Sequence, residues 1–156
     1  MKRTYILLAA VLASALGATA VAGAGDASGA APSARAAGVK VELRHTRLGS
    51  ILTTSRGLTV YEFTRDHTGE DSCMKIHDCA KAWPPLLTSG KPLAGPGVSA
   101  SLLSSIRLPD GAEQATYAGH ALYGYIGDSP GSTGYVGVNA FGGHWYALSA
   151  SGNAVK

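Results

Sequence analysis

The longest uninterrupted apolar stretch lies at the start of the chain. From Tyr5 the run YILLAAVLASALGATAVAGA carries no charge, and Met1-Lys2-Arg3 precedes it with two cations. A basic start, an apolar middle and a small-residue end form the pattern of a secretory signal. Ala18-Thr19-Ala20 and Ala20-Val21-Ala22 each offer an A-x-A cleavage pattern. A membrane span needs about 20 predominantly apolar residues. The second half of this run is Ala, Gly and Thr rather than Leu and Ile, which favours a cleaved leader over 1–22. Residues 23–38, GAGDASGAAPSARAAG, hold nothing that could bury a core and read as a flexible Ala/Gly/Ser linker. The folded part is expected over 39–156.

There the pattern shortens to alternating runs of strand length. Leu48–Thr54, a turn at Ser55-Arg56-Gly57, and Leu58–Phe63 predict a hairpin. Ala115–Ala118, a turn at Gly119, and His120–Tyr125 predict a second one. Alternation places Thr59, Tyr61 and Phe63 on one face, and Ala121, Tyr123 and Tyr125 on the matching face. His144–Ser149 predicts a closing strand. Its counterpart Trp83-Pro84-Pro85-Leu86 is not expected in a central strand, because both prolines lack a donor. SASLLSSI, within Gly95–Ala112, predicts a single helical turn before the turn Pro109-Asp110-Gly111. Cys73–Ala82 reads as a short helix or an irregular loop.

The two hairpins are copies. At a constant offset of 62 residues, Thr54 meets Thr116, Gly57 meets Gly119, Tyr61 meets Tyr123, Asp66 meets Asp128 and Gly69 meets Gly131. Phe63 meets Tyr125, Leu86 meets Leu148, and the chain's two tryptophans, Trp83 and Trp145, fall in register. Such self-similarity marks a duplicated supersecondary unit. The expected fold is mostly β: a single domain built from two pseudo-symmetric, hairpin-containing repeats, about 48–93 and 110–156, with little helix.

At Tyr61-Glu62-Phe63-Thr64-Arg65-Asp66 and Tyr123-Gly124-Tyr125-Ile126-Gly127-Asp128 the chain resembles the bacterial secreted-repeat proteins, predicted lipoproteins with a Yx(FWY)xxD motif. The stretches Ser72-Cys73 to Cys79-Ala80-Lys81-Ala82-Trp83-Pro84-Pro85-Leu86 and Thr116 to Tyr123 also match that pattern. The resemblance implies an exported, envelope-associated β-rich domain and brings no activity with it. No cysteine precedes Cys73, so the lipid-accepting residue of a lipoprotein is missing. The expected location is extracellular or in the cell-wall space, without a lipid anchor or a stable membrane anchor after cleavage.

Composition changes meaning once the leader is removed. The formal net charge of +3 falls to +1 with the loss of Lys2 and Arg3. A near-neutral domain with scattered charges leaves no electrostatic footprint for nucleic acid. A hydrophobic content of 46% excludes a fully disordered chain.

Candidate chemistry is sparse. Cys73 and Cys79 are the two cysteines, and export makes a disulfide the default. The alternative is a redox pair or a metal site, with Cys73, Met74, His77 and Cys79 as soft ligands for copper or zinc. Asp66 and Asp128 could form an acid/base pair as in a hydrolase, but an Asp followed by Gly three residues on also reads as a turn. Asp66, Glu70 and Asp71 do not match a calcium-loop spacing. Tyr61, Phe63, Trp83, Tyr123, Tyr125 and Trp145 read as core that packs the copies together. Tyr117, Tyr135 and Tyr146 are less constrained and could line a binding surface. His45, His67, His77, His120 and His144 read as turn or surface residues, with a shared site drawing on His67 or His77 and His120 or His144 as the alternative. The glycine-rich Gly131–Gly143 lacks the lysine and the following helix of a phosphate-binding loop. No nucleophile elbow is present. The sequence thus points to a non-catalytic binding or structural role without a cofactor. The expected partner is an envelope protein or a small ligand. Metal or redox handling through the Cys73–Cys79 segment is the runner-up.

Overall fold

A computed structural model describes residues 38–156. The expected leader and all but the last residue of the expected linker lie outside the described residues. In chain order the strands are β1 (Lys40–Thr46), β2 (Gly49–Thr54), β3 (Tyr61–Phe63), β4 (Leu87–Thr88), β5 (Leu93–Ala94), β6 (Leu103–Arg107), β7 (Glu113–Tyr117), β8 (His120–Ala121), β9 (Val138–Ala140), β10 (Gly143–Leu148) and β11 (Ala154–Val155). A 3-10 turn (Cys73–Lys75) and one helical turn, α1 (Cys79–Ala82), are the described helical elements. The domain is mostly β, with several small sheets.

The β1–β2 and β6–β7 hairpins are the two copies of one unit. β1 pairs with β2 from Val41↔Thr54 to Thr46↔Gly49, and β6 pairs with β7 from Leu103↔Tyr117 to Arg107↔Glu113. Their inner faces meet in one core of Val41, Leu52 and Val60 against Leu103, Ala115, Tyr117, Leu122 and Leu148. Neither β1 nor β6 stands out in the sequence. The helical turn expected in SASLLSSI is confined to its start, where the Leu102 amide bonds the Ser99 carbonyl at 3.1 Å. Leu103 onward is extended, because pairing with β7 and burial of Leu103 override the local preference.

The second strand of each predicted hairpin departs from its partner. Thr59 still bridges Thr53, but Tyr61–Phe63 crosses over to β10 of the other repeat, with Trp145 opposite Phe63 and Ala147 opposite Tyr61. The second repeat does the reverse. Residues 122–126 pair with 82–86, through Leu86 N–H to the Leu122 carbonyl at 2.8 Å, Gly124 N–H to Pro84 at 2.9 Å and Ile126 N–H to Ala82 at 3.0 Å. Trp83–Pro85 is paired along this one side only, so it keeps the non-central position expected of its prolines; Leu86 alone is bonded on both sides, its carbonyl accepting the Ala115 N–H at 2.9 Å. Proline is tolerated there because the segment serves mainly through its carbonyls, and Leu86 supplies the one donor. Between the exchanged strands, Tyr61 and Tyr123 bond each other reciprocally, N–H to carbonyl, at 3.0 Å both ways. A pseudo-twofold axis passes between these two residues.

Candidate functional site

The repeated Tyr-to-Asp spacing closes a reciprocal clasp around that axis. The Tyr123 hydroxyl donates to Asp66 Oδ2 at 2.7 Å, and the Tyr61 hydroxyl donates to Asp128 Oδ2 at 3.1 Å. Each motif thus spends its tyrosine on the other repeat's aspartate. Gly69 N–H to the Gly119 carbonyl (3.0 Å) and Gly131 N–H to the Gly57 carbonyl (2.9 Å) repeat the exchange in the backbone. Burial raises both tyrosine pKa values, and the facing carboxylates add to it. Burial also raises Asp66 and Asp128 above the ordinary carboxylate value, against the pull of their tyrosine partners. The aspartates do not simply open their turns: Asp66 Oδ1 accepts the Ser72 N–H at 2.7 Å, across a six-residue separation. Both carboxylates of the acid/base pair considered from the sequence are thus acceptors, each bonded to the tyrosine of the other repeat.

Behind the clasp lies an aromatic column. Trp83 and Trp145 stack at 4.1 Å and 5°, Phe63 continues the stack on Trp145 at 4.1 Å, and Tyr125 continues it on Trp83 at 4.4 Å. Tyr61 and Tyr123 meet Trp83 and Trp145 edge-on at 5.1 and 5.2 Å. Tyr135 adds a further ring against Tyr125 at 4.1 Å. Tyr117, sequence-read as a possible binding residue, is buried and donates to the Ala150 carbonyl at 2.7 Å. Tyr146 is half-buried in β10, beside the His144 ring at 5.7 Å.

Cys73 and Cys79 form a disulfide, with both residues fully buried under this column. Both sulfurs are committed to each other, and His77 is turned to solvent on Asp78 at 3.0 Å. The structure does not assemble Cys73, Met74, His77 and Cys79 as a ligand set; among the described residues no three His, Cys, Asp or Glu side chains converge for a metal. His67 is exposed. His120 Nδ1 lies 2.6 Å from Glu62 Oε2. Glu62, buried on the outer face of β3, has its pKa raised by burial and pulled back by His120. This contact has no counterpart in the other repeat, where Gly124 and Leu58 stand.

The concave site lies at the seam between the repeats. A cleft of about 550 Å³ is floored by the outer face of the β1–β2 hairpin, with Arg44, Thr53 and Thr59. The β1–β2 turn walls it on one side with Arg47, and the Gly131–Gly134 loop walls it on the other; His45, Thr46 and Gly57 complete the lining. Alternation along β1 puts Val41 and Leu43 into the core and leaves Arg44 outside. Arg47 Nε donates to Thr133 Oγ1 at 2.9 Å, and Thr59 Oγ1 donates to the Ser132 carbonyl at 2.6 Å. Both bonds tie the first repeat to the second across the cleft. Arg44 is about half exposed and meets Glu42 only at 4.0 Å, while Glu42 is engaged by Lys40 at 2.8 Å. No carboxylate lines the cleft. Of these residues the sequence marks Gly57 and Thr59 as turn and strand positions, His45 as a turn or surface histidine, and Gly131–Gly134 as part of a glycine-rich loop without the lysine and helix of a phosphate-binding loop. The helix is indeed absent, but the loop faces two guanidiniums instead.

A family described as a secreted repeat of unknown function matches residues 43–87 and 104–149. These spans take in both halves of the clasp and both tryptophans, and the chain belongs to this family. No curated protein and no solved structure matches the chain. No helix among the described residues is long and apolar enough to cross a membrane.

Proposed function

We propose that this member of the secreted-repeat family is a non-catalytic binding domain of the cell envelope, with its ligand seat in the Arg44–Arg47 cleft. The observation that carries this reading is where the repeats agree and where they differ. The positions shared by both copies (Tyr61/Tyr123, Asp66/Asp128, Trp83/Trp145) are engaged in holding the frame. The side chains that line the cleft come from positions that differ between them; of its lining only Gly57 and Gly131 recur, as Gly119 and Gly69. The cleft volume falls within the roughly 300–1,000 Å³ of small-molecule sites. The cleft threonines Thr46, Thr53 and Thr59 donate to the backbone carbonyls of Gly49, Glu42 and Ser132. None is aligned on His45 for proton transfer, as a nucleophile would be.

Titrating the 15N-labelled secreted protein with a library of small polar fragments tests the reading. Amide shifts are expected to cluster on Arg44, Arg47 and Gly131–Gly134. Hits that gather elsewhere, on the Cys73–Cys79 loop for example, or no hits at all, contradict it.

A further inference from the structure

Resting on that reading, we infer that the cleft takes a sugar-sized organic anion, with a carboxylate or phosphate group held between Arg44 and Arg47. The cleft offers donors and few acceptors. Arg47 spends only its Nε on Thr133, so both terminal nitrogens of its fork stay available. Thr133 accepts that bond, which leaves its own hydroxyl proton to donate. Arg44 has one long contact to Glu42, whose carboxylate is held by Lys40. The nearest acid along the loop, Asp128, is turned inward onto the Tyr61 hydroxyl. A planar guanidinium with free N–H groups recognises carboxylate and phosphate oxygens bidentately. The volume of about 550 Å³ leaves room for a sugar ring beside the charged group.

The pseudo-symmetric seam supplies an internal control. At the offset of 62 residues, Arg44 and Arg47 become Ile106 and Pro109, and Ser132 and Thr133 become Glu70 and Asp71. At those positions one seam presents two cations and two hydroxyls and the other two carboxylates and no arginine, while Arg107 stands there at the position of His45. There, Asp71 Oδ1 accepts the Met74 N–H at 2.8 Å and Glu70 pairs with Lys75, so the acids serve the local fold. Duplication supplied two equivalent seams, and the charge that would repel an anion is absent from one of them.

Isothermal titration of the secreted protein at low ionic strength, with glucuronate, glycerol 3-phosphate and glucose as probes, tests the inference. At least one acid binds and glucose does not; glucuronate alone identifies a carboxylate ligand, and glycerol 3-phosphate alone a phosphate one. Arg44→Ala and Arg47→Ala each weaken that binding about tenfold or more. Arg107→Ala, which removes a cation of the other repeat, leaves it unchanged; cooperative urea transitions, with the variants folded in the absence of urea, show that all three are folded. Glucose binding as tightly as the acids would overturn charge recognition while leaving the cleft as a binding site. Binding that ignores Arg44 and Arg47, or acids that do not bind at all, would overturn the inference outright.

Discussion

Replacing Tyr123 by Phe removes one oxygen and keeps the ring that packs edge-on against Trp145. The lost bond is short, 2.7 Å to Asp66 Oδ2, and its acceptor is a partly buried carboxylate. Hydrogen bonds to charged groups contribute about 1.5–3 kcal/mol, because the orphaned partner keeps its desolvation cost. Tyr123→Phe should therefore destabilise the domain by that amount, which lowers Tm by roughly 6–12 °C for a domain of this size. Tyr61→Phe breaks a longer contact, 3.1 Å to Asp128; its expected loss is smaller, about 0.5–1.5 kcal/mol. Urea unfolding followed by tryptophan fluorescence is suited to the measurement, since Trp83 and Trp145 are both buried at the axis. A double-mutant cycle of Tyr123→Phe with Asp66→Asn should show a coupling of about 1 kcal/mol or more. Additivity of the pair within about 0.5 kcal/mol would refute the clasp as an energetic link between the repeats.

Three further outcomes are expected. Reducing the Cys73–Cys79 disulfide, which closes a loop of sequence separation six, should cost about 2 kcal/mol in urea stability and leave ligand affinity at the cleft unchanged. Gly119→Ala should cost about 1–3 kcal/mol, because the position sits at φ +87° and an added Cβ would lie 2.9 Å from Thr68 Cγ2. Glu62, Asp66 and Asp128 all have pKa values raised by burial, so each holds its proton more tightly folded than unfolded. Their contribution to stability therefore grows as pH falls from neutral through the raised values toward the ordinary carboxylate range. The urea midpoint should rise over that interval, and Asp66→Asn together with Asp128→Asn should flatten the rise; a midpoint that falls equally in all variants would show that these groups do not titrate as described.

The duplicated frame was legible in the sequence because its parts are chemically demanding. A buried stack needs both tryptophans, and a reciprocal clasp needs Tyr and Asp at the same spacing twice, so Tyr61, Asp66 and Trp83 recur as Tyr123, Asp128 and Trp145. The partners of these residues were not legible. Local pattern suggests that Leu58–Phe63 folds back on β2, whereas Tyr61–Phe63 pairs with β10 across the repeat boundary, and a pairing at long sequence separation leaves no mark nearby. β6 was hidden for a related reason: its serines carry no alternating apolar signal beyond Leu103 and Ile106. The cleft escaped notice because identities locate the frame and say nothing of positions that differ. Comparing charge across the repeats, Arg44 against Ile106 and Thr133 against Asp71, would have drawn attention to it.

One frame carries two equivalent seams, and the ligand is proposed to sit at one of them. A single amide shift map of the secreted protein, saturated with whichever of glucuronate or glycerol 3-phosphate binds more tightly, tests this directly. Shifts are expected at Gly131–Gly134, Arg44 and Arg47, with residues 69–72, Ile106 (the counterpart of Arg44) and Arg107 (the counterpart of His45) unmoved. Shifts of equal size at both seams, or at residues 69–72 alone, would contradict it.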